Sequence, residues 1–278
     1  MSTSAKSHPA AALLRRMAAL LGTALWLAGS ASANPLCPGK QPLQFAHHAF
    51  GSFYSDGKGI DVDLVNEMSR RSGCHIVQTL KPRSRIWREL EEGVLEMAGN
   101  GIENAQRNQF AVFIPYIAVR ARLLYRGAGR APATVAELLQ QHPRLGIVRS
   151  FKHGEPYDSA VDTLRQQGYV VEARDMDQLF EWLQLGRIQA AITHPMIYQY
   201  YLPRLQPNTI QIMDLASNES TLKVGVIVSR KLFSAAQIDG WRTLLQGMRD
   251  DGTLLQIYSH HIGADNARAA LLHVSPSE

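Results

Sequence analysis

Short apolar runs alternate with longer helical patterns along this chain, and that alternation restricts its fold more than any other feature. Leu43–His47, Ile76–Leu80, Val94–Ala98, Leu145–Arg149, Tyr169–Ala173 and Ile188–Thr193 read as strands. Between them the apolar spacing predicts helices over Val62–Ser72, from Ser84 to Gly93, and over Tyr157–Gln167 and Asp177–Leu185. Asp61 stands where an N-cap would be, and Gly73 where the helix would stop. Val119–Tyr125 reads as one longer strand and Leu222–Ser229 as another; Thr134-x-x-Glu137 has the form of a capping box. Two helices are expected near the C-terminus, about Ser234–Arg249 and Thr253–His261. This order predicts an α/β protein with mainly parallel strands. Ligands of such sheets sit beyond the carboxyl ends of the strands, so residues 48–54, 99–107, 150–154 and 194–198 become the places to look.

The first thirty-odd residues stand outside this pattern. Lys6, Arg15 and Arg16 precede the apolar run Met17–Leu27, which is too short to span a bilayer comfortably. Ala31 and Ala33 then occupy the two small-residue positions that a signal peptidase reads. Residues 1–33 are therefore expected to be a secretory signal peptide, which assigns the protein to the periplasm. Removing those 33 residues and their three cations from 278 residues at +5 leaves 245 residues at +2. The argument for a nucleic-acid or anionic-membrane partner goes with them. In an exported chain the two cysteines, Cys37 and Cys74, are expected to pair as a disulfide.

Catalytic and cofactor motifs are absent. There is no Gly-x-Ser-x-Gly elbow, no phosphate-binding loop and no His-Glu-x-x-His, and Gly99-Asn-Gly101 lacks the third glycine of a dinucleotide fingerprint. His47-His48 and His260-His261 are adjacent pairs, and neighbours on a strand point to opposite faces, so neither predicts a metal site. Lys81-Pro-Arg83-Ser-Arg85 with Arg88 reads as a solvated basic face, and Trp87 and Trp182 read as core. No cofactor, no metal and no nucleic acid is expected.

Gly59-Ile-Asp61-Val-Asp63-Leu64 resembles the Gly-Phe-Asp-Val-Asp-Leu signature of the bacterial extracellular solute-binding proteins, family 3, the periplasmic amino-acid-type receptors of ABC transporters. Further stretches follow in the family's order. They are Phe50-Gly-Ser-Phe53, Leu90-Glu-Glu-Gly93, Asn104-Ala-Gln-Arg107, Phe113-Ile-Pro115-Tyr116, Gly186-Arg-Ile-Gln189-Ala and Met248-Arg-Asp-Asp-Gly252-Thr-Leu-Leu-Gln-Ile-Tyr258. The resemblance implies the two-lobed type II periplasmic-binding-protein fold, each lobe a mainly parallel sheet flanked by helices. Residues 34–123 with 226–278 would form the first lobe and 124–225 the second, with Val119–Tyr125 and Leu222–Ser229 as crossing strands.

The same resemblance places a ligand site in the cleft. Arg107 would hold a carboxylate through paired charge-assisted bonds. Gly99, Asn100 and Gly101 would offer backbone N–H groups and an amide, and Phe50 would pack on the ligand. In the second lobe Ser150, Phe151 and Lys152 replace a Gly-Thr-Thr region. His194 stands where amino-acid receptors place an aspartate, and Gln189 replaces another. Arg107, Lys152 and His194 together imply an anionic or carboxylate-bearing ligand and not an ordinary α-amino acid. The expected protein is a monomeric binding protein and not an enzyme, with a small-molecule ligand and an inner-membrane transporter permease as partners. A dehydratase-like enzyme on the same fold, or a ligand-sensing adaptor for a membrane receptor, are the alternatives.

Overall fold

The computed structural model describes residues 1–2, 36–38, 42–127, 129–205, 209–217 and 221–271. The expected export signal, beyond its first two residues, lies outside the described residues. Pro35–Glu278 forms one compact unit, and everything below concerns it.

Its strands are β1 (Leu43–His47), β2 (Ile76–Leu80), β3 (Met97–Ile102), β4 (Ala111–Val119), β5 (Arg122–Arg126), β6 (Leu145–Val148), β7 (Val170–Ala173), β8 (Ala190–Thr193), β9 (Ile210–Met213) and β10 (Leu222–Ser229). The helices are α1 (Ile60–Ser72), α2 (Arg83–Glu92), α3 (Val135–Gln141), α4 (Tyr157–Gln166), α5 (Met176–Gln184), α6 (Pro195–Tyr201), α7 (Ala235–Asp250), α8 (Thr253–Ile262) and α9 (Ala264–Leu271).

Two five-stranded sheets result, ordered β2-β1-β3-β10-β4 and β7-β6-β8-β5-β9. Each has three parallel strands on one side. Each ends in strands that run antiparallel. The expected Val119–Tyr125 strand is two strands. β4 ends at Val119 in the first sheet, and β5 opens at Arg122 in the second. Arg120 and Ala121 carry the chain across between them. The stretch 111–118, which the sequence reading left out, makes up most of β4, the longest strand among the described residues, and α9 is a third C-terminal helix that it also lacked. The strand expected over Val94–Ala98 lies later, at Met97–Ile102.

Local chemistry accounts for most boundaries. α1 buries Ile60, Leu64, Val65 and Met68, which share one face at helical spacing, and Gly73 ends it at φ 69. Its cap is Gly59; Asp61 lies inside the first turn, with its side chain buried. Thr134 caps α3 by accepting from the Glu137 N–H, while Glu137 turns back to the Ala133 N–H. Ser234 and Gln237 form a full capping box on α7. Trp241, Leu245, Met248, Leu254 and Tyr258 then return the C-terminal helices to the core of the first sheet. No helix among the described residues is long and apolar enough to cross a membrane.

Cys37 and Cys74 are joined, with Cα atoms 5.8 Å apart. The bond ties the segment before β1 to the end of α1. The buried indole of Trp241 holds the same segment by donating to the Leu36 carbonyl at 3.1 Å. The disulfide closes a loop with a sequence separation of 37. Chain-entropy arithmetic for such a loop gives a stabilisation of about 3–4 kcal/mol. Urea unfolding of the paired Cys37→Ser, Cys74→Ser variant is expected to show a loss of that order. An unchanged midpoint would mean that the bond adds nothing to stability.

Candidate functional site

Residues just past the carboxyl ends of β1, β2, β3, β6 and β8 meet between the two sheets. The most consequential of them is Arg83, the first residue of α2, three residues beyond β2. The sequence reading placed it on a solvated basic face. It is instead 2% exposed. One guanidinium nitrogen, Nη1, donates to His48 Nε2 at 2.6 Å, and Nη2 donates to the Asn100 carbonyl at 3.1 Å. Its Nε finds no partner. The guanidinium lies 4.8 Å from the Phe151 ring centroid, 5.6 Å from Trp87 and 5.9 Å from Phe50. Its neighbours in the basic run do differ from it. Lys81 and Arg85 both pair with Glu89, and Arg88 is exposed beside Glu92.

Behind Arg83 lies a buried polar knot. Asp61 accepts from Asn100 Nδ2 and from the Tyr116 hydroxyl, the latter at 3.2 Å. The Asn100 backbone N–H donates to the same hydroxyl at 3.1 Å. Gly99 is required here, since a Cβ would overlap the Asp61 carboxylate. The segment Gly99-Asn100-Gly101, expected to face a ligand, is thus committed to β3 and this knot.

Arg107 is also buried, and its guanidinium is occupied. Nη1 donates to the Ile102 carbonyl and Nη2 to the Ser150 carbonyl, each at 2.8 Å. It stacks 3.8 Å from the Trp87 ring centroid. Trp87 is therefore both core and platform. The Ser150 bond joins the two sheets' sides, and Ser150 accepts it from a left-handed backbone conformation at φ 62.

From the second sheet come Phe151, His153 and His194. Phe50 lies 5.6 Å from both Phe151 and His194. Phe151 in turn lies 5.0 Å from His153. His194 caps the start of α6 by its backbone, and its Nδ1 has no partner. Lys152 is half-buried and acts on Asp158. Asp158 also accepts from the His153 and Gly154 backbone N–H groups. The 3₁₀ turn Gly51–Phe53 seats on α6, where Tyr200 donates to Ser55 Oγ at 3.0 Å. The cleft is closed by these contacts.

Of the expected site residues, Phe50, Phe151, His194, Ser150 and Arg107 are brought together. Asn100 reaches the cluster through Arg83. Gly99 and Gly101 stay in the sheet. Arg83, His48 and His153 complete the cluster. One signal could have found Arg83: residues 81–83 also follow a parallel strand, and the rule that singled out the other strand ends applies equally to them.

The electrostatics follow from burial. Arg83 is pushed well below the usual guanidinium range by burial and then by Arg107. Burial, then His153 and Arg83, lowers His194 to about 3. Burial lowers His47 to about 4 against its bond with Gln78. His48 falls well below the ordinary value by burial, Arg83 and His47. Asp61 is raised to about 8 by burial, opposed by Tyr116 and Arg83. Among the described residues no carboxylate pairs directly with Arg83 or Arg107. No group of three or more His, Cys, Asp or Glu side chains among them is arranged for a metal.

No family model and no curated protein matches the chain. Solved structures do match its fold. The arginine-, lysine-, histidine-binding protein ArtJ from Geobacillus stearothermophilus superposes with a TM-score of 0.67 at 18% identity, covering 82% of this chain and 100% of that one. An ArgBP mutant from T. maritima gives 0.66 at 17%, covering 79% and 94%. The GluR0 ligand-binding core from Nostoc punctiforme, in complex with L-glutamate, gives 0.64 at 15%, covering 80% and 100%. The two sheets therefore form the two-lobed periplasmic-binding-protein fold.

His194 and His47 are neutral in the fold, with values depressed to about 3 and about 4. Their stabilising share is complete above the unfolded value near 6.5 and is lost as pH falls toward the folded values. At a pH of about 5.5 each such histidine costs roughly 1.4 kcal/mol relative to neutral pH. Asp61, raised to about 8, opposes this by adding stability as pH falls over the same range, so the check is the difference from His194→Phe. In urea unfolding the stability of the protein relative to His194→Phe should fall between pH 7.5 and 5; a difference that stays constant would contradict a buried neutral imidazole at His194.

Proposed function

We propose that this protein is a periplasmic solute-binding protein. It captures a small anionic, carboxylate-bearing ligand between its lobes and delivers it to an inner-membrane transporter permease. The observation that carries the reading is Arg83: a guanidinium out of water, between the two sheets, with no carboxylate paired to it. An unpaired buried charge costs several kcal/mol, and an anion entering beside it removes that cost. His194 comes close to it from the second sheet with an unpartnered Nδ1, and His153 beside it lies 3.4 Å from Asp158. Neither offers the fixed negative charge that an α-ammonium would need.

We divide the mature chain into two lobes on this reading. The first is built around residues 34–119 and 222–278 and the second around 122–217, since β5 lies whole in the second sheet and β10 in the first, with the chain crossing at Arg120–Ala121 and again after the second sheet's last strand, β9. The ligand favours the closed arrangement because only that arrangement presents groups from both sides. Arg107, bonded across the cleft to Ser150, and Phe50, packed on Phe151 and His194, are closure contacts. Binding, and not turnover, is the activity this requires. The likeness to ArtJ and to the GluR0 core supports the reading through the fold, while the cation-rich cleft supports the charge of the ligand.

Calorimetry on the purified protein with succinate, glutarate, 3-phenylpropanoate, L-arginine and L-lysine tests this. At least one carboxylate without an ammonium group is expected to bind, and the two cationic amino acids are not. At a hundred times its dissociation constant such a ligand adds about 2.7 kcal/mol of stability, visible as a raised melting temperature. Tight binding of arginine or lysine with no binding of any carboxylate would overturn the anionic reading.

A further inference from the structure

The anion anchor and the body of the ligand can be separated by looking at what surrounds Arg83. A cavity of about 340 Å³ opens beside it between the sheets. Ala49, Leu80, Pro82 and Val148 give it apolar walls, and His48 and Arg83 line its polar side. Leu80, the last residue of the edge strand β2, is more than half exposed and adds apolar surface at the mouth. At the rim stand Lys81, held by Glu89, and Arg174, held by Asp175. The only carboxylate on the lining, Asp175, is committed twice. It caps α5 by accepting from the Gln178 N–H at 2.9 Å, and it pairs with Arg174 at 2.8 Å.

Resting on the proposed function, we infer that the ligand is a monocarboxylate with an apolar body and no α-ammonium group, its carboxylate on Arg83 and its body in this cavity. Three observations converge on that class. Arg83 lines the cavity and its Nε has no partner, whereas Arg107, the expected anchor, does not line it. Ala49, Pro82 and Val148 are apolar and the rim cations Lys81 and Arg174 are already paired, so a second carboxylate of a dicarboxylate would find no uncommitted cation. No uncommitted carboxylate is there to receive an ammonium. Size agrees: a cavity of about 150 Å³ accommodates benzene, so this one takes a phenyl ring with a short acid chain. The cationic rim would draw an anion in without holding it, since both rim cations are paired.

Calorimetry with 3-phenylpropanoate, its uncharged analogue 3-phenylpropanamide, hexanoate and succinate tests the inference on the full protein. The two apolar monocarboxylates are expected to bind, the amide and succinate at least about tenfold more weakly, as loss of a charge-assisted pair or burial of a bare charge implies. Arg83→Met should remove the preference for the acid over the amide. Val148→Phe, which fills the cavity and leaves the guanidinium in place, should weaken 3-phenylpropanoate more than hexanoate. The acid-over-amide ratio in the unaltered protein supplies the same information if Arg83→Met fails to fold. Binding of succinate or glutarate without 3-phenylpropanoate or hexanoate would overturn the ligand class and leave the anion-receptor reading standing. Binding of 3-phenylpropanoate unaffected by Arg83→Met would overturn the site. No binding of any acid would overturn both.

Discussion

The Arg83 guanidinium sits between two sheets, buried at the edge of a cavity, and the surrounding structure is arranged around that charge. One nitrogen is met by His48, one by a backbone carbonyl, and its faces by aromatic rings. Those groups reduce the cost of desolvation without cancelling the charge. Burial keeps the nearby imidazoles neutral, and the charge adds to that effect at His48 and His194. On the proposed function the same charge sets the kind of solute the cleft suits.

Asp61 supplies the other half of this balance. It is too far from Arg83 to form a pair and too buried to ionise easily, and it is satisfied by Asn100 and Tyr116. The knot fixes the end of β3 against α1, so the Asn100 carbonyl is aimed at Arg83. A motif that reads like a helix cap is in fact the brace behind the cleft. The glycine beside Asn100 leaves room for the brace.

Much of the architecture was legible in the chain. β1 and β2 fall at the limits that alternation predicts, and Gly73 and Gly93 end their helices as expected, because these signals are local: pattern, cap and stop. β4 was not legible, since Pro115 and Tyr116 interrupt its alternation and its pairing is with a strand more than a hundred residues later. The resemblance of the motif order to the solute-binding proteins led to the fold that the solved structures share. Arg107 is where the motif puts it; its bonds to the Ile102 and Ser150 carbonyls are announced by no pattern in the sequence.

By itself, then, the sequence determined the alternating α/β order, the pairing partner of each cysteine, since there are only two, and the strand ends at which side chains could converge. Only the tertiary structure decided which of the basic residues faces the cleft. Lys81, Arg83 and Arg85 lie within five residues and look alike in a list of charges. The start of α2 turns Arg83 inward, while Glu89 holds the other two at the surface. Burial is set by the packing of two sheets distant in sequence, and it turns one arginine of an ordinary basic run into a buried charge between them.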